Sequence, residues 1–93
     1  MVDHQDLRDA AALRAALVEA EQDHGLAVRE RDRTDRLVEA EALPARRLEE
    51  ARAALVAAEA RLSAAKERWS RFEAVSQSEA GGSTGGAFTV RAP

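Results

Sequence analysis

The sequence predicts an all-α fold: a long antiparallel helical hairpin of coiled-coil type, followed by a flexible Gly-rich linker and a short C-terminal tail. Three observations carry this expectation. Leu48, Leu55, Leu62 and Trp69 recur every seven residues, with Ala51, Ala58, Ala65 and Phe72 in the alternate positions. That three–four spacing describes one apolar stripe on a helix, the seam of a coiled coil. Pro44 is the only interior proline and falls near the middle of the 93 residues. Ala, Arg, Leu and Glu dominate the composition, as they do in long helices.

The first helix is expected over residues 3–42. Asp3 suits the N-cap, and Asp6 and Asp9 favour the positive end of a helix dipole. Its inner face reads Leu13, Leu17, Ala20, His24, Ala27, Arg31, Thr34 and Val38. The stripe is diluted, because His24 and Arg31 occupy positions where a strong coil has Leu. Leu26 and Leu37 fall on another face and suggest a second contact surface. Between Arg29 and Arg36, four Arg alternate with three acids, as on a solvated helix laced with ion pairs.

A turn or kink is expected at residues 43–45. Proline lacks an N–H and disfavours helix at Leu43, but it is well placed at the start of a new helix. Two amphipathic halves of similar length joined by a short break fold back on each other, which favours the hairpin over a kinked continuous rod. With the turn at Pro44, Val38 pairs near Leu48–Ala51, Arg31 near Leu55–Ala58 and His24 near Leu62–Ala65. Leu13 and Leu17 then meet Trp69 and Phe72.

The second helix is expected over 45–78. A linker follows over 79–86, through Gly81-Gly82-Ser83-Thr84-Gly85-Gly86. Residues 87–93 form a disordered terminus or a docking tail. Phe88 and Val90 alternate with Thr89, the pattern of a tethered strand that adds to another protein's sheet edge.

Composition limits the function. Of the 45% hydrophobic residues, twenty-two are Ala, and Ile, Tyr and Cys are absent. The large-side-chain core is thin, so oligomerisation or a bound partner is the expected supplement. A net charge of −3 with both signs interleaved argues against nucleic-acid binding. No apolar run approaches the ~20 residues of a membrane span. The N-terminus is acidic and polar, unlike a Sec signal peptide. A cytoplasmic protein, or one assembled in a virion-like particle, is the expectation.

No nucleophile–base arrangement is visible, so no enzymatic activity, cofactor or small-molecule substrate is expected. His24 on the diluted seam is a polar residue that helps set register. Glu21 and His24 reproduce the Glu-x-x-His spacing of di-iron helical bundles. The layout of a helical pair plus a tail peptide resembles short ferritin-like proteins housed inside protein shells. That resemblance implies a metal site at Glu21 and His24. It also needs inward carboxylates from the second helix, where Glu67 points outward and Glu59 is expected a turn or more away.

In length and helix–turn–helix organisation the chain also resembles small secreted proteins of the WXG100 type, which implies a secreted effector. Their turn carries Trp-x-Gly, where this one reads Leu43-Pro44-Ala45. Their tail signal has its nearest counterpart in Trp69-Ser70-Arg71-Phe72-Glu73, inside the seam.

The leading expectation is a non-enzymatic structural or assembly protein. It oligomerises, or docks on another structural protein, through Leu13, Leu17, His24, Arg31, Val38, Leu48, Leu55, Leu62, Trp69 and Phe72, with Phe88 and Val90 as the docking tail. Its most concrete form is a phage-type scaffolding, minor capsid or tail-associated protein. The alternatives are a coiled-coil adaptor or regulator of a different protein, the metal-binding hairpin, and the WXG100-like effector.

Overall fold

The computed structural model describes the backbone of residues 4–91 and the side chains of residues 4–78. Asp3 and Pro93 lie outside that range. Two helices make the fold: α1 spans His4–Glu39 and α2 spans Ala45–Arg91. They fold back as a hairpin, and the kinked continuous rod is excluded. The thinnest dimension is 13 Å, about one helix with its side chains. The hairpin is therefore a single layer, and the strip between the two helices is its only buried zone among the described residues.

Helix α1 begins with Asp6 in its first turn and ends with Arg36 in its last, each at the end of the dipole that favours its charge. It stops at Glu39, three residues before the expected end at 42, and the reason is a backbone motif. The Glu41 N–H donates to the Val38 carbonyl at 3.0 Å, and the Ala42 N–H donates to the Leu37 carbonyl at 2.8 Å. This pair of bonds is a Schellman cap, which satisfies carbonyls that the helix end leaves open. It requires a left-handed residue at its centre, and Glu41 supplies it with φ 60°. The cap places Ala42 beside the last turn of α1 and turns the chain toward Pro44.

Pro44 then sits immediately before α2, where its missing N–H costs no helical bond, and its carbonyl accepts from the Arg47 N–H at 3.0 Å. The chain reverses without the glycine or asparagine that normally occupies the left-handed cap position. A side chain there costs on the order of 1 kcal/mol. Glu41→Gly should accordingly raise stability by about 0.5–1 kcal/mol in urea denaturation, with helicity unchanged. Destabilisation instead would mean that the Glu41 side chain makes a contact that outweighs its backbone strain.

The helical backbone of α2 continues past residue 78, through the segment expected as a linker and on to Arg91 in the segment expected as a tail. Glycine lowers helix propensity by about 1 kcal/mol per position but does not forbid helix, and no proline intervenes before Pro93. The side chains of Phe88 and Val90 lie outside the described residues.

Burial follows the heptads. On α2, Ala51, Leu55, Ala58 and Ala65 are buried, and Leu48, Leu62, Trp69 and Phe72 are half-buried. On α1, Ala20 and Thr34 are buried, and Leu13, Leu17, His24, Ala27, Arg31 and Val38 are half-buried. Leu55 is the one large side chain in the buried set among the described residues.

Candidate interaction surfaces

The residues expected to form the interface lie along the line where α1 faces α2. They are paired about one turn away from the expected register. His24 Nε2 lies 3.8 Å from Glu59 Oε2, where it was expected beside Leu62–Ala65 with Glu59 a turn or more distant. Arg14 stacks on Trp69, with its guanidinium carbon 5.6 Å from the ring centroid. The early end of α1 explains the shift. Moving the centre of the connection from Pro44 to Ala42 slides the pairing by about four residues, one helical turn.

At the open end, Trp69 and Phe72 stack on each other with ring centroids 5.8 Å apart and 27° between planes. The Arg14 guanidinium covers the Trp69 face as a cation on a π system. Arg31 turns to its chain neighbour Asp32 at 2.7 Å, which lets its charge leave the seam while its stem stays half-buried. Glu30 accepts both Nε and Nη2 hydrogen bonds from Arg33, at 3.2 and 2.8 Å. These pairs are partly or largely exposed, and each contributes less than about 1 kcal/mol.

The register shift also creates a groove that the sequence does not reveal. The expected pairing set small Ala on α2 against long polar side chains on α1. In the structure, Ala16 and Ala20 of α1 meet Ala64 and Ala65 of α2, small against small. The result is an open groove of about 190 Å³, rimmed by Glu19 and Asp23 on one helix and by Arg61 and Arg68 on the other. That volume is below the ~300–1,000 Å³ of typical small-molecule pockets. Ala16 and Ala20 lie one turn apart on α1, so a search for paired small residues on facing helices finds this feature once the register is known.

Glu21 and His24 are on adjacent turns of α1. His24 faces Glu59 across the seam. Among the described residues, no three His, Cys, Asp or Glu side chains converge in a group able to hold a metal ion. No helix among the described residues is long and apolar enough to cross a membrane. No protein-family model matches this chain, and no curated protein or solved structure shows significant similarity to it.

Outside the seam, Leu7, Val18, Leu26, Val56 and Val75 are exposed. They divide between the two broad sides of the hairpin. Heptad steps place Leu26 and Val75 on the groove side, since Leu26 follows Glu19 and Val75 follows Arg68 by seven residues. Leu7, Val18 and Val56 lie toward the opposite side.

Proposed function

We propose that the protein is a non-enzymatic assembly element: a helical hairpin that associates with its own kind or docks into a larger particle. The observation that carries this reading is the single-layer architecture. A hairpin 13 Å thick buries one strip and leaves two broad sides, with five large apolar side chains exposed among the described residues. A core of one Leu and several Ala is thin for an isolated chain of this size, and association supplies further burial. In its most concrete form the protein is a scaffolding, minor capsid or tail-associated component of a phage-type particle. Contact runs through the helical faces, and the C-terminal segment with Phe88 and Val90 acts as the docking peptide.

The thin core also favours a second reading. The hairpin then acts as an adaptor whose exposed side is completed by a helix of a different protein.

Deletion of residues 81–93 tests the first reading. The truncated chain should keep the hairpin, seen as a cooperative thermal transition by circular dichroism, yet disappear from the particles purified from the producing cells. Unchanged incorporation would sink the docking segment. Absence of the full-length chain from every large particle would sink the assembly role.

A further inference from the structure

We propose that the alanine-floored groove is the docking surface for a second copy of this chain. The two hairpins pack groove to groove about a twofold axis parallel to their helices and form an antiparallel four-helix bundle. The proposal rests on the reading of the chain as an assembling hairpin and names the partner and the surface.

Two observations select this side. First, its floor is made of Ala16, Ala20, Ala64 and Ala65, so another helix can approach closely, toward the ~8 Å lower limit of interaxial distances. Second, the four rim charges are exposed and unspent. Glu19, Asp23, Arg61 and Arg68 form no ion pair within 4.0 Å among the described residues. On the other side of the hairpin, by contrast, Arg14 covers Trp69 and Glu59 meets His24. Two apolar side chains also extend this side, while Leu7, Val18 and Val56 extend the other. Leu26 and Val75 are each 58% exposed.

Charge decides the symmetry. The acids lie on α1 and the arginines on α2, at one level of the hairpin, because they rim one groove. A twofold axis along the helices keeps the level and exchanges the helices. Glu19 and Asp23 then face Arg61 and Arg68 of the second copy, twice over. The axis perpendicular to the helices in the plane of the hairpin stacks α1 on α1 and α2 on α2, which sets acids against acids and arginines against arginines. Like charges facing each other disfavour that arrangement, and the opposite pairing favours the first.

The favoured axis also makes every neighbouring helix antiparallel, as in up-down bundles. Seven-residue steps continue the match. Leu26 falls opposite Ala57 of the second copy. A side about 40 Å long and ~15–20 Å wide offers on the order of 600–800 Å² per copy, near the ~800 Å² per partner of a standard interface.

Sedimentation equilibrium of the purified full-length chain at tens of micromolar provides the test. The expected mass is twice the 10.1 kDa of one chain. Glu19→Arg with Asp23→Arg makes both rims basic, and Arg61→Glu with Arg68→Glu makes both acidic. Each double variant should fall to the single-chain mass, and an equimolar mixture should recover the double mass. A chain carrying all four reversals should dimerise again, which separates lost pairing from lost folding.

A thiol crosslinker should join Leu26→Cys of one chain to Ala57→Cys of another, giving a covalent mixed dimer that fixes the axis. A wild-type chain at the single mass overturns the proposal. A dimer that survives both reversals overturns the groove as its surface, and the assembly reading stands. Mass is read on the purified chain and incorporation on particles, so the two failures are distinguishable.

Discussion

Leu55→Ala should destabilise the hairpin by about 2 kcal/mol, and Val56→Ala, one residue along, should change stability by less than ~0.5 kcal/mol. The contrast follows from exposure: Leu55 is 8% exposed and Val56 is 64% exposed. Truncating a buried Leu removes its transfer free energy and leaves a cavity, which together cost about 2–5 kcal/mol in a thick core. Here the core is one layer deep, so the space can open to water or collapse, and the low end of that range applies.

Even that cost is a large share of the stability of a small domain. No other large side chain among the described residues is as buried, so the loss cannot be absorbed by a neighbour of the same size. Chemical denaturation at fixed protein concentration checks the pair, because association makes apparent stability depend on concentration. Equal effects of Leu55→Ala and Val56→Ala would contradict the hairpin, since a seam on one face is what separates the two positions.

The faces of this fold are legible in the sequence, and the register is not. Period settles which side of a helix is buried. Leu48, Leu55, Leu62, Trp69, Ala51, Ala58, Ala65 and Phe72 are all buried or half-buried, and so is the diluted stripe from Leu13 to Val38. Register is set by two other things: how the chain turns, and how strongly one pairing outcompetes its neighbour one turn away. The turn depends on Glu41 adopting a left-handed conformation, which no sequence signal marks because glycine and asparagine are the usual occupants.

The seam itself discriminates weakly. Leu and Ala alternate along α2, so a slide by one turn replaces one apolar side chain by another and leaves every seam position on α2 apolar. The His24–Glu59 contact and the alanine groove are consequences of that slide, so neither is visible before the turn is known. The extent of α2 escapes for a related reason. Glycine-rich composition signals low helix propensity, a preference of about 1 kcal/mol per residue that a long helix can carry past its last apolar heptad.

The close spacing of the helices is itself testable through Ala58→Leu, which should cost ~1–3 kcal/mol. Ala58 is the most buried side chain described, at 1% exposure, and it lies between Leu55 and Leu62 on the same face of α2. The His24–Glu59 contact places this level of α2 against the His24 turn of α1. A Leu here adds three carbons where the helices touch, so the seam must widen or the side chain must leave its preferred rotamer.

In a domain of this size each kcal/mol shifts Tm by about 4–8 °C, so the melting transition should fall by roughly 5–20 °C. Ala60→Leu makes the same chemical change at an exposed position and should stay within ~0.5 kcal/mol of wild type. A neutral Ala58→Leu would show that the helices are not held at alanine distance. The result also bears on assembly. Ala65 repeats Ala58 one heptad on and forms part of the groove floor, so widening the seam at Ala58 should separate Ala16 and Ala20 from Ala64 and Ala65. The two rims would then no longer meet a second copy at one spacing, and dimerisation should weaken along with the fold.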